Sequence, residues 1–99
     1  MVSAGIEGTY KGSSLFNTKA ISERCKCDKE FHAAIQNCLA RYYSGDWGDI
    51  EADDKALNDN AVKNKDDRIV AEYEIGCSRI MIITEEDLSH TTILYANEY

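Results

Sequence analysis

Ile80-Met81-Ile82-Ile83 is the most apolar run of this chain, and it limits what the rest can fold into. Successive side chains of a strand point to opposite faces, so a strand with no polar alternation must be covered on both sides. That places Ser78–Thr84 at the centre of a sheet. Arg68–Ile75 before it is strand-like, and Gly76-Cys77 is the turn that joins the two. Glu85–His90 reads as a loop, and Thr91–Tyr95 as the last strand.

The preceding two thirds carry helical spacing instead. Asp28 is a good N-cap, and Phe31, Ile35, Cys38, Leu39 and Tyr42 recur on one face after it. Ser44-Gly45 stops that helix, since glycine suits the left-handed C-terminal position. Asn17 is expected to cap a shorter helix over residues 18–24, with Ala20 and Ile21 turned inward. Glu51–Lys65 reads as a third helix with a thin apolar stripe of Ala52, Ala56, Leu57, Ala61 and Val62. Residues 5–15, with Ile6, Tyr10 and Leu15 among glycines and serines, suggest a short edge strand or hairpin. The expected fold class is α+β: helices in the N-terminal two thirds, packed on a small antiparallel sheet formed mainly by the C-terminal third. At 99 residues the chain is one domain, 1–99.

Cys25-Lys26-Cys27, followed by His32, is the most chemically suggestive cluster. Two thiols one residue apart can grip one soft metal ion, and a histidine five residues later can reach it. Cys77, in the turn between two strands, is the natural fourth ligand. With Asp28 as the cap of the following helix, both thiols precede a helix N-terminus, where peptide dipoles favour thiolate. Cys38 lies about 15 Å further along the helix axis and shares its apolar face, which suits a buried free thiol. It replaces His32 as a ligand if the helix begins elsewhere. Four protein ligands would close the site and make the zinc structural. The alternative is four unconnected reduced cysteines.

The formal net charge is −7, and it is uneven: residues 46–67 hold eight acidic side chains against three basic. Asp46, Asp49, Glu51, Asp53, Asp54 and Asp59 form the densest acidic stretch. Positions 51, 54 and 58 share one helical side. Such a protein is repelled by nucleic acid and drawn to basic surfaces, notably those of nucleic-acid-binding proteins. The bland reading is a solvated, solubilising face. Trp47, between Gly45 and Gly48, is either an exposed anchor for a partner or a core residue closing helix onto sheet; small domains with one tryptophan favour the core.

No nucleophile elbow, phosphate-binding loop or dinucleotide-binding glycine motif is present. Ser89 and His90 are strand neighbours that point opposite ways, so they do not form a nucleophile and base. The chain is therefore read as non-catalytic. No apolar run approaches a membrane span, and the first residues lack a secretory pattern. A monomer in the reducing cytoplasm is expected, binding neither membrane nor nucleic acid directly.

Ser44-Gly45-Asp46-Trp47-Gly48-Asp49, Ile82-Ile83-Thr84-Glu85 and Thr91-Thr92-Ile93-Leu94, with Glu98-Tyr99, carry a resemblance. Over roughly residues 28–99 the chain resembles a family of short proteins found on plasmids, phages and other mobile elements of Gram-positive bacteria. The cysteine cluster is a departure from that pattern. The chain is also similar to zinc-containing anti-CRISPR proteins directed at type II effector nucleases. The resemblance implies a partner, an RNA-guided nuclease whose nucleic-acid loading is blocked. The alternative is a regulatory or antitoxin-like protein that binds a small cognate partner.

Overall fold

The computed structural model describes residues 14–64 and 67–99. The expected strand or hairpin over residues 5–15 lies almost wholly outside them, as does the helix end at Lys65. In chain order the elements are β1 (Ser14–Asn17), α1 (Lys19–Cys27), α2 (Lys29–Tyr43), α3 (Ala52–Asn64), β2 (Ile69–Ile75), β3 (Ser78–Thr84) and β4 (His90–Tyr95), closed by a 3-10 turn at Ala96–Glu98. The fold is α+β, with three helices before the C-terminal strands.

The sheet order is β1-β4-β3-β2. β2, β3 and β4 form an antiparallel meander, with Ile69 opposite Thr84 and Thr84 opposite Thr91. β1 joins β4 in parallel, Asn17 opposite Ile93, so the sheet is mixed. The expected antiparallel sheet of the C-terminal third is present as β2–β4, and the parallel strand β1 is the addition. A four-residue strand that reaches its neighbour from the far end of the chain leaves no turn signal in the sequence.

β3 is central and its apolar run is buried on both faces, as its composition requires. Ile80 and Ile82 join Ile21, Phe31, Ile35, Cys38 and Tyr42 in the main core between helices and sheet. Met81 and Ile83 point the other way and form a smaller cluster with Leu94. Thr84 and Thr91 lie at one end of the main core, fully buried. Thr84 Oγ1 sits 2.6 Å from Tyr42 Oη and 2.7 Å from Thr91 Oγ1. This chain of hydroxyls satisfies polar groups that burial would otherwise penalise, and it gives Thr84 of the Ile-Thr-Glu block and Thr91 of the Thr-Thr block a packing role.

The helix boundaries differ from expectation in one place that matters. Thr18, not Asn17, is the N-cap of α1: its hydroxyl accepts from Ile21 N–H. Asn17 is taken up as the last residue of β1. The same Thr18 hydroxyl donates to Glu98, whose carboxylate also accepts from Tyr95 N–H, tying the start of α1 to the chain's end. α1 then runs on through Cys27, so the cysteine pair is inside a helix. Asp28 caps α2 as expected, accepting from Phe31 N–H at 3.0 Å.

Candidate functional site: the acidic face of α3 and the groove beside it

The loop that delivers the chain to α3 is built from the Gly-Asp-Trp-Gly block. Gly45 and Gly48 both have positive φ, +88° and +79°. At Gly48 a side chain is impossible without movement, because a Cβ would stand 2.0 Å from the Glu72 carbonyl oxygen. That closeness lets the loop bond the open edge of β2: Asp49 N–H donates to the Glu72 carbonyl, and Glu72 N–H to that of Trp47. Trp47 is 3% exposed and lies edge-on to Tyr42. It is a core residue, and its indole N–H donates to Asp59 at 2.9 Å.

Asp46 is the keystone of this loop. Its carboxylate takes two bonds from Arg41 and a third from Gly48 N–H. The Arg41 guanidinium, then the Gly48 amide, hold the carboxyl below the usual range. Tyr73 Oη donates to the Asp46 carbonyl, and burial pushes the Tyr73 phenol far up. Thus of the six acidic positions singled out in the sequence, Asp46 and Asp59 are engaged within the chain. Asp49 contributes its backbone, donating to Glu72 and accepting from Arg79.

Glu51, Asp53 and Asp54 are different. All three are exposed, at the start of α3, and among the described residues none forms an ion pair. Acidic residues suit the first turn of a helix, where the dipole stabilises them without fixing their side chains. The helix is also turned differently from its expected stripe. Leu57 is 60% exposed, Ala52 and Ala56 are exposed, and the buried positions are Asn58 and Ala61. The reason is the sheet edge. Asn58 donates to the Val70 carbonyl at 2.7 Å and accepts from Val70 N–H at 3.2 Å, so its amide stands in for a neighbouring strand. Asn58 therefore does not belong to the outward acidic stripe with positions 51 and 54.

Between α3 and β2 this leaves a groove of about 270 Å3. Ile50, Leu57 and Val70 give it apolar walls, and Asp54, Glu72 and Arg68 line it as well. Glu72 is paired with Arg79, and Arg68 is bonded to the Tyr99 hydroxyl. The sequence hinted at this site through Leu57, but a helical stripe alone assigned that leucine to the core.

The cysteines are dispersed. Cys25 and Cys27 lie in the last turns of α1, two positions apart and so on nearly opposite sides of it. Cys25 packs at the margin of the core, and burial pushes its thiol up, against the pull of Arg24. Cys27 is exposed, its sulfur near the carbonyls of Glu23 and Arg24. Both cysteines thus lie in the last turns of α1, just before Asp28 caps α2, and not in a loop ahead of a helix. His32 is exposed on the first turn of α2. Cys38 is 4% exposed, with its thiol pushed up by burial. Cys77 is exposed in the β2–β3 turn, in a cleft of about 460 Å3 with Arg24, Ser78, Arg79 and Tyr95. Among the described residues no three His, Cys, Asp or Glu side chains are grouped to hold a metal ion. None of the described helices is long and apolar enough to cross a membrane. Ser89 and His90 do not point opposite ways as expected: Ser89 Oγ lies 2.8 Å from His90 Nδ1, because Ser89 belongs to the loop and β4 begins only at His90; both side chains are exposed.

No family model, curated protein or solved structure matches the chain.

Proposed function

We propose that this chain is a non-catalytic binding protein that inhibits a bacterial defence nuclease of the RNA-guided, type II kind. Its acidic face covers a basic nucleic-acid-binding surface and blocks loading of guide or target. One observation carries the binding half of this reading. Arg24, Arg41 and Arg79 hold Asp28, Asp46, Glu72 and Glu74 in ion pairs, whereas Glu51, Asp53 and Asp54 stand close together at the start of α3, exposed and, like the scattered Glu23, Glu30 and Glu86, outside any ion pair among the described residues. A net charge of −7 adds long-range attraction for a basic partner. The choice of nuclease rests on the resemblance of the Gly-Asp-Trp-Gly and Ile-Thr-Glu…Thr-Thr blocks. In this reading the chain works in the bacterial cytoplasm, where the nuclease is.

The test is capture of partners from a host lysate on the immobilised chain, followed by binding of the purified nuclease. Retention of a type II effector nuclease supports the reading. Retention of a small protein encoded beside the chain would replace it with the regulatory one.

A structural zinc is a separate proposal. Its support is the sequence cluster Cys25, Cys27 and His32, with Cys77 as the distant ligand. Zinc-driven closure would have to draw these side chains together, because the described residues do not group them.

A further inference from the structure

We propose that the groove between α3 and β2 receives one arginine or lysine side chain from the surface of a partner protein. This deepens the reading of the chain as a binder of basic surfaces by naming the part that seats the contact. The groove has the two components that a long cationic side chain needs. Ile50, Leu57 and Val70 offer apolar wall for the methylene stem, and Asp54 offers a carboxylate for the charged end. Glu72, at the same groove, already holds one guanidinium, that of Arg79, which shows the chemistry on this surface.

Leu57 is the residue that makes this more than a charged patch. A leucine 60% exposed in the middle of a helix, beside a groove, loses water-exposed apolar surface when a stem covers it. The helix cannot turn Leu57 inward, because Asn58 is fixed by its two bonds to Val70. The groove is thus built by the same contact that caps the sheet edge. Arg68, the cation at the groove, is drawn toward Tyr99 by its hydrogen bond. Asp53 and Glu51 extend the acidic field beside Asp54, so a cation is steered to this end of α3.

The experiment follows the backbone amide spectrum of the isotope-labelled chain during titration with a hexa-arginine peptide, with a hexa-glutamate peptide as control. The expected result is saturable shifts centred on Asp54, Leu57 and Val70, and no such shifts with the glutamate peptide. Leu57→Ser and Asp54→Asn should each weaken the peptide by about three- to tenfold, and both residues are exposed, so the spectrum itself will report an intact fold. Shifts spread evenly over all acidic segments, or affinity unchanged in Leu57→Ser, would overturn the groove. Groove-centred binding in a chain that inhibits no nuclease would uphold the groove and remove the nuclease as partner. Full inhibition by the Leu57→Ser, Asp54→Asn double variant would leave the inhibitor reading standing and overturn the groove.

Discussion

Tyr42 Oη stands 2.6 Å from Thr84 Oγ1, and through that contact α2 is keyed to the central strand. Tyr42 and Thr84 are both fully buried, and Thr91 continues the contact onto β4. Helix, central strand and last strand are thereby held in one register by hydroxyls rather than by shape alone. Tyr42→Phe should cost about 1–2 kcal/mol in urea unfolding, and Thr84→Val a similar amount. The double variant should cost less than the sum, with a coupling of about 0.5–3 kcal/mol. Strict additivity would show that the two hydroxyls act independently.

Gly48 and Gly45 should differ sharply. At Gly48 an alanine meets the Glu72 carbonyl and a left-handed backbone together; at Gly45 nothing lies within 4 Å of the added carbon. Gly45→Ala should cost about 1–2 kcal/mol, from backbone strain alone. Gly48→Ala should cost more than about 3 kcal/mol and separate the loop from β2. Melting curves of the two variants check the order, at about 4–8 °C per kcal/mol for a domain this small.

Asp46 sets an acid limit. Its folded pKa is lowered by Arg41 and Gly48, so its contribution to stability is fully present above the unfolded value of about 3.9. That contribution is lost as pH falls through the folded pKa. A carbon-detected titration should find the Asp46 carboxyl below the ordinary aspartate range. Asp46→Asn should unfold earlier at neutral pH and show a shallower loss of stability below about pH 4.

Much of this architecture was legible in the sequence, and the gaps have physical causes. Asp28, Gly45, Gly76 and the Ile80–Ile83 run mark their elements through local rules of capping, handedness and burial, so α2 and the β2–β3 hairpin follow from the chain alone. Trp47 in the core also follows, from size. β1 does not, because pairing in parallel with β4 is decided by tertiary contact. Nor does the rotation of α3. Its apolar stripe predicted Leu57 inside, but the helix is set by Asn58, whose value lies in the unpaired edge of β2. The cysteines depended on where α1 ends, and its extension to Cys27 places both in the last turns of that helix rather than in a loop.

Zinc is checked by elemental analysis of protein purified without added metal. About one zinc per chain would support the proposal, and none would remove it. The informative variant is Cys27→Ser. Cys27 is exposed, so without metal its loss should leave the unfolding free energy within about 0.5 kcal/mol of the parent, and with a structural zinc the loss should be severe. Cys38→Ser puts a hydroxyl at a position 4% exposed and should destabilise either way.

Charge reversal on α3 tests the acidic face. Asp53→Lys with Asp54→Lys should slow association with the nuclease and flatten its salt dependence, because steering by exposed charge acts on the on-rate. The fold should hold, since neither side chain forms an ion pair among the described residues. Stopped-flow association at several salt concentrations reads both effects; an unchanged rate would place the interface elsewhere on the chain.

Inhibition by binding is checked by a titration of DNA cleavage. The purified chain is added to a type II RNA-guided nuclease at ratios from far below to well above one, before or after target DNA. Inhibition should complete near one chain per nuclease and weaken when DNA is bound first. Complete inactivation at a small fraction of one chain per nuclease would mean turnover, and unimpaired cleavage at every ratio would mean that the nuclease is not the partner; either result would overturn inhibition by stoichiometric binding.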